Sequence, residues 1–174
     1  MLIIHSVQKL LNTSRLESCL YVSKPGPGQY LHSWYARLLS SGFVGKMMVM
    51  YVHEPSLMVV ICKGKTIQGT WVTFLNRLEQ LLSRFQFQAS FVNSELSQAE
   101  GYTVSKTNSK SMLSFMNQLV FELEYDCRRF PNFESISPDW LEDRMMDRPH
   151  QAGKRQTDYL TPLEYWRNEI GMAR

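Results

Sequence analysis

KMMVMYVHEPSLMVVIC, residues 46–62, holds two apolar runs, MMVMYV and LMVVIC, separated by a short break around His53-Glu54-Pro55. The pattern reads as a β-hairpin with the His-Glu-Pro segment in a solvated turn. Both runs are apolar throughout instead of alternating. That predicts strands covered on both faces, or central strands with helices on one side and the C-terminal tail on the other.

Working outward, TWVTFLNRLEQLLSRFQF (70–87) carries Trp71, Phe74, Leu75, Leu78, Leu81, Leu82 and Phe85 at helical spacing, with Thr70 as the expected N-cap. SFVNSELSQAEG (90–101) reads as a second, weaker helix and YTVSKT (102–107) as an alternating strand. On the N-terminal side, LIIHS (2–6) reads as a strand, VQKLLN (7–12) as a helical turn, and SKPGPGQ (23–29) as a loop. LHSWYARLLSSG (31–42) is predicted helical, because Leu31, Trp34, Tyr35, Leu38 and Leu39 share one helical face and Gly42 suits a C-terminal cap.

SKTNSKSMLSFMNQLVFELEY (105–125) passes from a strand into an amphipathic helix. Asn108 or Ser109 is placed to accept the unpaired N–H groups of its first turn, with Met112, Phe115, Met116, Leu119 and Leu123 facing the core. The order β-α-α-β-β-α-α-β-α predicts an α+β two-layer domain with a small, mainly antiparallel sheet.

Aspartate marks a boundary. None occurs before Asp126, and all the others follow it. Residues 1–126 carry the whole net charge of +3; residues 127–174 are balanced, and seven of their eight basic residues are arginine. The expectation is a compact domain over 1–126 and a tail of short helices over 127–174. SPDWLEDRM and TPLEYWRNEIG each begin with a hydroxyl N-cap followed by proline, Ser137-Pro138 and Thr161-Pro162, and the second ends at Gly171. The polar stretch 147–158 between them reads as an exposed linker.

Several chemistries find no support in the residues. The three cysteines are odd in number and form no C-x-x-C pair, which argues against disulfides and structural zinc and for a reducing cytoplasm. The longest apolar runs, at six residues, fall far short of the ~20 that span a bilayer. No secretory leader is read in the first twenty residues, so a soluble protein is expected. No G-x-G-x-x-G, P-loop or G-x-S-x-G motif occurs, and KGKTIQGT (63–70) resembles a phosphate loop in composition only. No cofactor and no metal are expected.

What remains is aromatic residues among basic and polar ones. His32, Trp34 and Arg37 sit on the predicted 31–42 helix; Lys106, Thr107, Asn108, Ser111 and Asn117 sit at the later junction; Trp140 and Trp166, with Tyr159, are expected exposed on the tail. The tail aromatics Trp140, Tyr159 and Trp166 suit a non-catalytic module binding a protein partner or a second copy of itself, since Trp and Tyr concentrate binding energy. Two alternatives stay open. One is single-stranded nucleic acid on a basic and aromatic patch. The other is an enzyme taking a small anionic substrate at 106–117.

The arrangement H-x-W-Y-A-R-L-L, an apolar hairpin, and K-T-N-S-K-S-M-L-S-F-M-N-Q resembles a bacterial family described only as a domain of unknown function, whose members sometimes occur beside plasmid or transposon genes. The matching positions are Trp34, Ala36, Leu38, Thr107, Asn108, Ser111, Met116 and Asn117, over roughly residues 1–125. Ser56 stands where the family pattern has Thr, and Ser114 where it has Gly. The resemblance implies no established activity.

Overall fold

The computed structural model describes residues 1–19, 25–107, 109–151 and 159–170. Strand β1 (Leu2–Ser6) leads through helix α1 (Gln8–Ser14) to β2 (Ser33–Ser40), and a hairpin of β3 (Met47–Glu54) and β4 (Val59–Lys63) follows. Helices α2 (Ile67–Arg84) and α3 (Ala89–Ser97) precede β5 (Tyr102–Lys106) and α4 (Lys110–Cys127). Helix α5 (Pro138–Met146), a small ribbon of β6 (His150–Gln151) and β7 (Tyr159–Leu160), and α6 (Pro162–Ile170) complete the chain. The fold is α+β, as expected.

Residues 31–42 are the main correction. They form a strand, not a helix: β2 pairs with β3 along all eight of its residues, from Ser33 opposite Glu54 to Ser40 opposite Met47. Its other side pairs with β1, Ile3 opposite Ser33 through Ser6 opposite Ala36. The sheet order is therefore β4-β3-β2-β1-β5. It is mixed, because β1 runs parallel to both β2 and β5, while β2-β3 and β3-β4 are antiparallel. A strand buried on both faces needs apolar residues on each, so its pattern mimics a helix stripe.

Alternation on β2 then splits the predicted helix face in two. Trp34 and Ala36 enter one core, with Leu10 and Leu11 of α1, Phe74, Leu78, Leu81 and Leu82 of α2, and Trp166 of α6. Tyr35 and Leu39 enter the other, with Met112, Met116, Leu119 and Leu123 of α4 and Leu141 and Met145 of α5. Each such large side chain, fully buried, contributes about 1.5–3 kcal/mol from lost apolar exposure.

The α2 boundary also shifts by one turn. Thr66, not Thr70, is its N-cap and accepts from Gly69 N. Thr70 is buried, donates its hydroxyl to the Thr66 carbonyl at 2.8 Å, and receives the Tyr51 hydroxyl at 2.7 Å. His53 is likewise no turn residue. It lies on β3 opposite Trp34 and is wholly buried.

Each sheet edge is met by another part of the chain. At β4 the Ile61 N–H donates to Glu142 Oε1 of α5 at 2.9 Å. Arg77 and Arg84 of α2 clamp the same carboxylate at 2.7 and 3.0 Å. At β5 the Val104 carbonyl accepts from Cys19 N at 2.7 Å. Unpaired edges invite strand addition from other chains, and each of these contacts satisfies one edge group.

Candidate binding site along helix α4

Helix α4 takes its place from the sheet topology. After β1 the chain turns through α1 onto one face; after β5 it turns through α4 onto the other. The carboxyl ends of the parallel strands β1 and β5 thus part around a switch point, the usual place for a crevice in an open sheet. The Ser- and Lys-rich junction sits there. Ser109 caps α4 by accepting from Met112 N at 3.3 Å and lies 3.0 Å from the Ser111 hydroxyl. Thr107 N donates to the Ser6 carbonyl, and Lys106 is exposed. Asn108 lies outside the described residues.

Beneath this junction the His5 and Tyr35 rings stack at 4.7 Å. Burial, then the neighbouring Glu54 carboxylate, pushes the Tyr35 phenol up to about 12, against a hydrogen bond with Ser109. Burial also holds His5 below its ordinary value, with Glu54 partly offsetting it. Arg37 projects toward α4 and donates to Asn117 Oδ1.

The ten candidate residues therefore divide. Arg37, Thr107, Ser111 and Asn117 gather at or along the first half of α4, with Lys106 at its approach. Trp34 points to the opposite face, where its Nε1 donates to the Leu31 carbonyl. His32 is buried at the other end of β1, its carbonyl accepting from Ile3 N at 2.8 Å. Burial of Trp34 and Tyr35 removes the stacking platform expected of a 31–42 helix. Trp166 is 1% exposed and packs in the core, so it is not a surface docking residue either. Trp140 is 37% exposed, under the guanidinium groups of Arg144 and Arg129 at 5.0 and 5.6 Å.

Sequence reasoning missed the groove beside α4. An open cavity of about 610 Å³ runs between Ser111, Ser114, Phe115 and Gln118 on one side and the 148–151 strap with Tyr159 on the other, with Leu57 at one wall. The strap, expected as part of a free linker, is held at its start. Arg148 makes a two-pronged ion pair with Glu122 at 2.7 and 2.5 Å and lies 5.4 Å from the Phe115 ring. His150 meets the same ring edge-on at 6.2 Å, and β6 pairs with β7. Burial holds the His150 imidazole below its ordinary value. Residues 152–158 lie outside the described residues. Phe115, expected in the core, is half-buried and forms the groove floor. The one local signal was Ser114 and Gln118, polar at helical spacing from Ser111.

Among the described residues no group of three or more His, Cys, Asp or Glu side chains is placed to hold a metal ion, and no helix is long and apolar enough to cross a membrane. Burial pushes the Cys62 thiol up, and burial with Asp126 and Glu124 pushes Cys127 up to about 11. Comparison with curated proteins and with solved structures finds no match. A family model does match, and it spans residues 3–165, well past the 1–125 of the resemblance, taking in α5 and the strap as well as the sheet. The chain belongs to that family, the domain of unknown function DUF6933.

Proposed function

We propose that this DUF6933 domain is a non-catalytic binding module that holds a segment of a protein partner in the groove beside α4. The observation that carries this reading is the groove itself. Its volume lies within the range of ordinary ligand clefts, ~300–1,000 Å³. Leu57, Phe115 and Tyr159 offer apolar contact; Ser111, Ser114 and Gln118 offer hydrogen bonds to a polypeptide backbone. The three cysteines are free, which supports the reading of a reducing, cytoplasmic setting. The resemblance adds a bacterial source and neighbouring mobile-element genes.

The test is selection from a random-peptide library on the native protein, followed by measurement against Ser114→Trp. Ser114 is exposed, so the larger ring fills the groove without entering the core. Selected peptides should lose at least about tenfold in affinity, ~1.4 kcal/mol. Peptides that bind both proteins equally, or a selection that yields none, would overturn the reading.

A second reading is favoured by topology alone: a small anionic ligand at the β1/β5 switch point, facing Lys106 and the N-terminus of α4. A ligand that binds only the native state raises the melting temperature. A thermal-shift screen of anionic metabolites that moves nothing would remove it.

A further inference from the structure

We propose that the 148–151 strap is a movable wall of the groove beside α4, and that protonation of His150 releases it. The motion stands on the strap's own contacts. Its use, to discharge a bound segment on acidification, rests on the groove reading above.

The strap ends in a ribbon of two residues per strand, His150 opposite Leu160 and Gln151 opposite Tyr159. A two-stranded ribbon is at best marginally stable alone, so contacts with the body of the protein must hold it. Arg148 and His150 provide them, and both use the same aromatic ring. Arg148 forks onto Glu122 at 2.7 and 2.5 Å and lies 5.4 Å from Phe115. His150 meets Phe115 edge-on at 6.2 Å. The Arg148 and Glu122 side chains are 20% and 44% exposed, so water and salt weaken their pairing.

His150 suits this position only while neutral. Its Nδ1 is closed to solvent and has no hydrogen-bond partner. Burial holds the ring below its ordinary value; a hydrogen bond to the Arg148 backbone opposes this, the Arg148 guanidinium reinforces it, and Glu164 of α6 opposes it. Neither nearby carboxylate is free to pair. Glu122 is engaged by Arg148. Glu164 accepts from Thr161 N at 2.8 Å and also faces Arg167. Protonation therefore sets a second positive charge beside Arg148, against one ring, with an N–H at Nδ1 that finds no acceptor. Both effects cost free energy in the closed position and vanish once the ring is in water. The sign follows: closure is fully supported above the ordinary value near 6.5 and loses support as the pH falls through the lowered one.

The experiment is NMR of the full chain with labelled His, Phe and Arg side chains, titrated from about pH 7.5 to about 5, across the ordinary histidine range. His150 should titrate below its ordinary value. Overhauser contacts from the Phe115 ring to Arg148 and His150 should disappear on the same midpoint, while contacts within α4 persist. In His150→Gln the Phe115–Arg148 contact should survive the whole range. In Glu122→Gln it should weaken already at neutral pH. Contacts that outlast the His150 titration, or a midpoint at or above the ordinary value, would overturn the release. Loss of the α4 contacts at the same midpoint would mean general unfolding and overturn it too. Peptides selected on the groove should lose at least about tenfold in affinity over that range in the native protein and hold it in His150→Gln. Affinity indifferent to pH would overturn the discharge. A library without binders would overturn the groove reading and the discharge together, whereas strap contacts that persist while peptides bind would overturn the release alone.

Discussion

The indole of Trp166 lies nearly flat on the imidazole of His53, their centroids 5.4 Å apart and their planes 24° from parallel. Trp34 approaches the same imidazole at 5.0 Å. A residue from the last helix thus closes over a residue of the central hairpin. Trp166→Ala should destabilise the protein by about 3–5 kcal/mol, the range for emptying a large buried aromatic site. Trp140→Ala, at the surface, should cost far less. Urea titrations of both variants give the comparison.

His53 should make the protein acid-sensitive. Its Nε2 donates to the Tyr30 carbonyl at 2.8 Å, so Nδ1 is the acceptor of the Ser56 hydroxyl at 2.7 Å, and the ring is neutral. Burial lowers its pKa to about 3, although the Tyr30 carbonyl opposes the shift. The unfolded chain protonates this histidine near pH 6.5 and the folded chain only near 3, so between those values the unfolded state binds more protons. Stability from this group is complete above about 6.5 and falls on acidification by roughly 1.4 kcal/mol per pH unit. His5, His32 and His150 are shifted downward too and add slope of the same sign. His53→Gln should therefore flatten, without abolishing, the fall in stability between pH 6.5 and 4. An unchanged slope would rule out the assignment.

Glu142 is buried, and burial raises its pKa against the pull of Arg77, the Ile61 N–H and Arg84. Glu142→Ala should leave the edge N–H without its acceptor and the two guanidinium groups with only the more exposed Asp139 and Asp143. Breaking a buried pair from one side costs about 3–5 kcal/mol. A loss below about 1 kcal/mol in chemical denaturation would show that water replaces the carboxylate freely.

Truncation after residue 126 tests the boundary suggested by composition. Leu141, Met145, Met146 and Trp166 all lie in the two cores, and Glu142 covers the β4 edge. The shortened chain should lose its cooperative thermal transition. A sharp transition retained by residues 1–126 would establish the front part as self-sufficient.

Legibility followed the range of the interactions involved. The hairpin, α2, α3 and α4, and the caps at Ser109, Ser137 and Thr161 rest on neighbours close in sequence, and all could be read from it. Strand β2 could not. Its apolar residues at 34, 35, 38 and 39 fit a helix stripe, and only pairing with β1 and β3 makes them a strand. Burial of His53 depends on Tyr30 and Trp166, 23 and 113 positions away, and no local pattern announces it. In the candidate site, the contact of Arg37 with Asn117 joins positions far apart in sequence, and Trp34 turns to the opposite face because its segment is a strand and not a helix. The groove arises only when the 148–151 strap meets α4.

The clamp on Glu142 ties three distant positions into a single heritable unit. Losing either arginine alone leaves the buried carboxylate under-neutralised, and losing the carboxylate alone leaves two partly buried cations held only by the more exposed Asp139 and Asp143. Sequence drift at 77, 84 and 142 should therefore be concerted. Homologues should keep the charged trio intact or replace all of it with neutral side chains, and a collection in which the three vary freely would show that the clamp is dispensable.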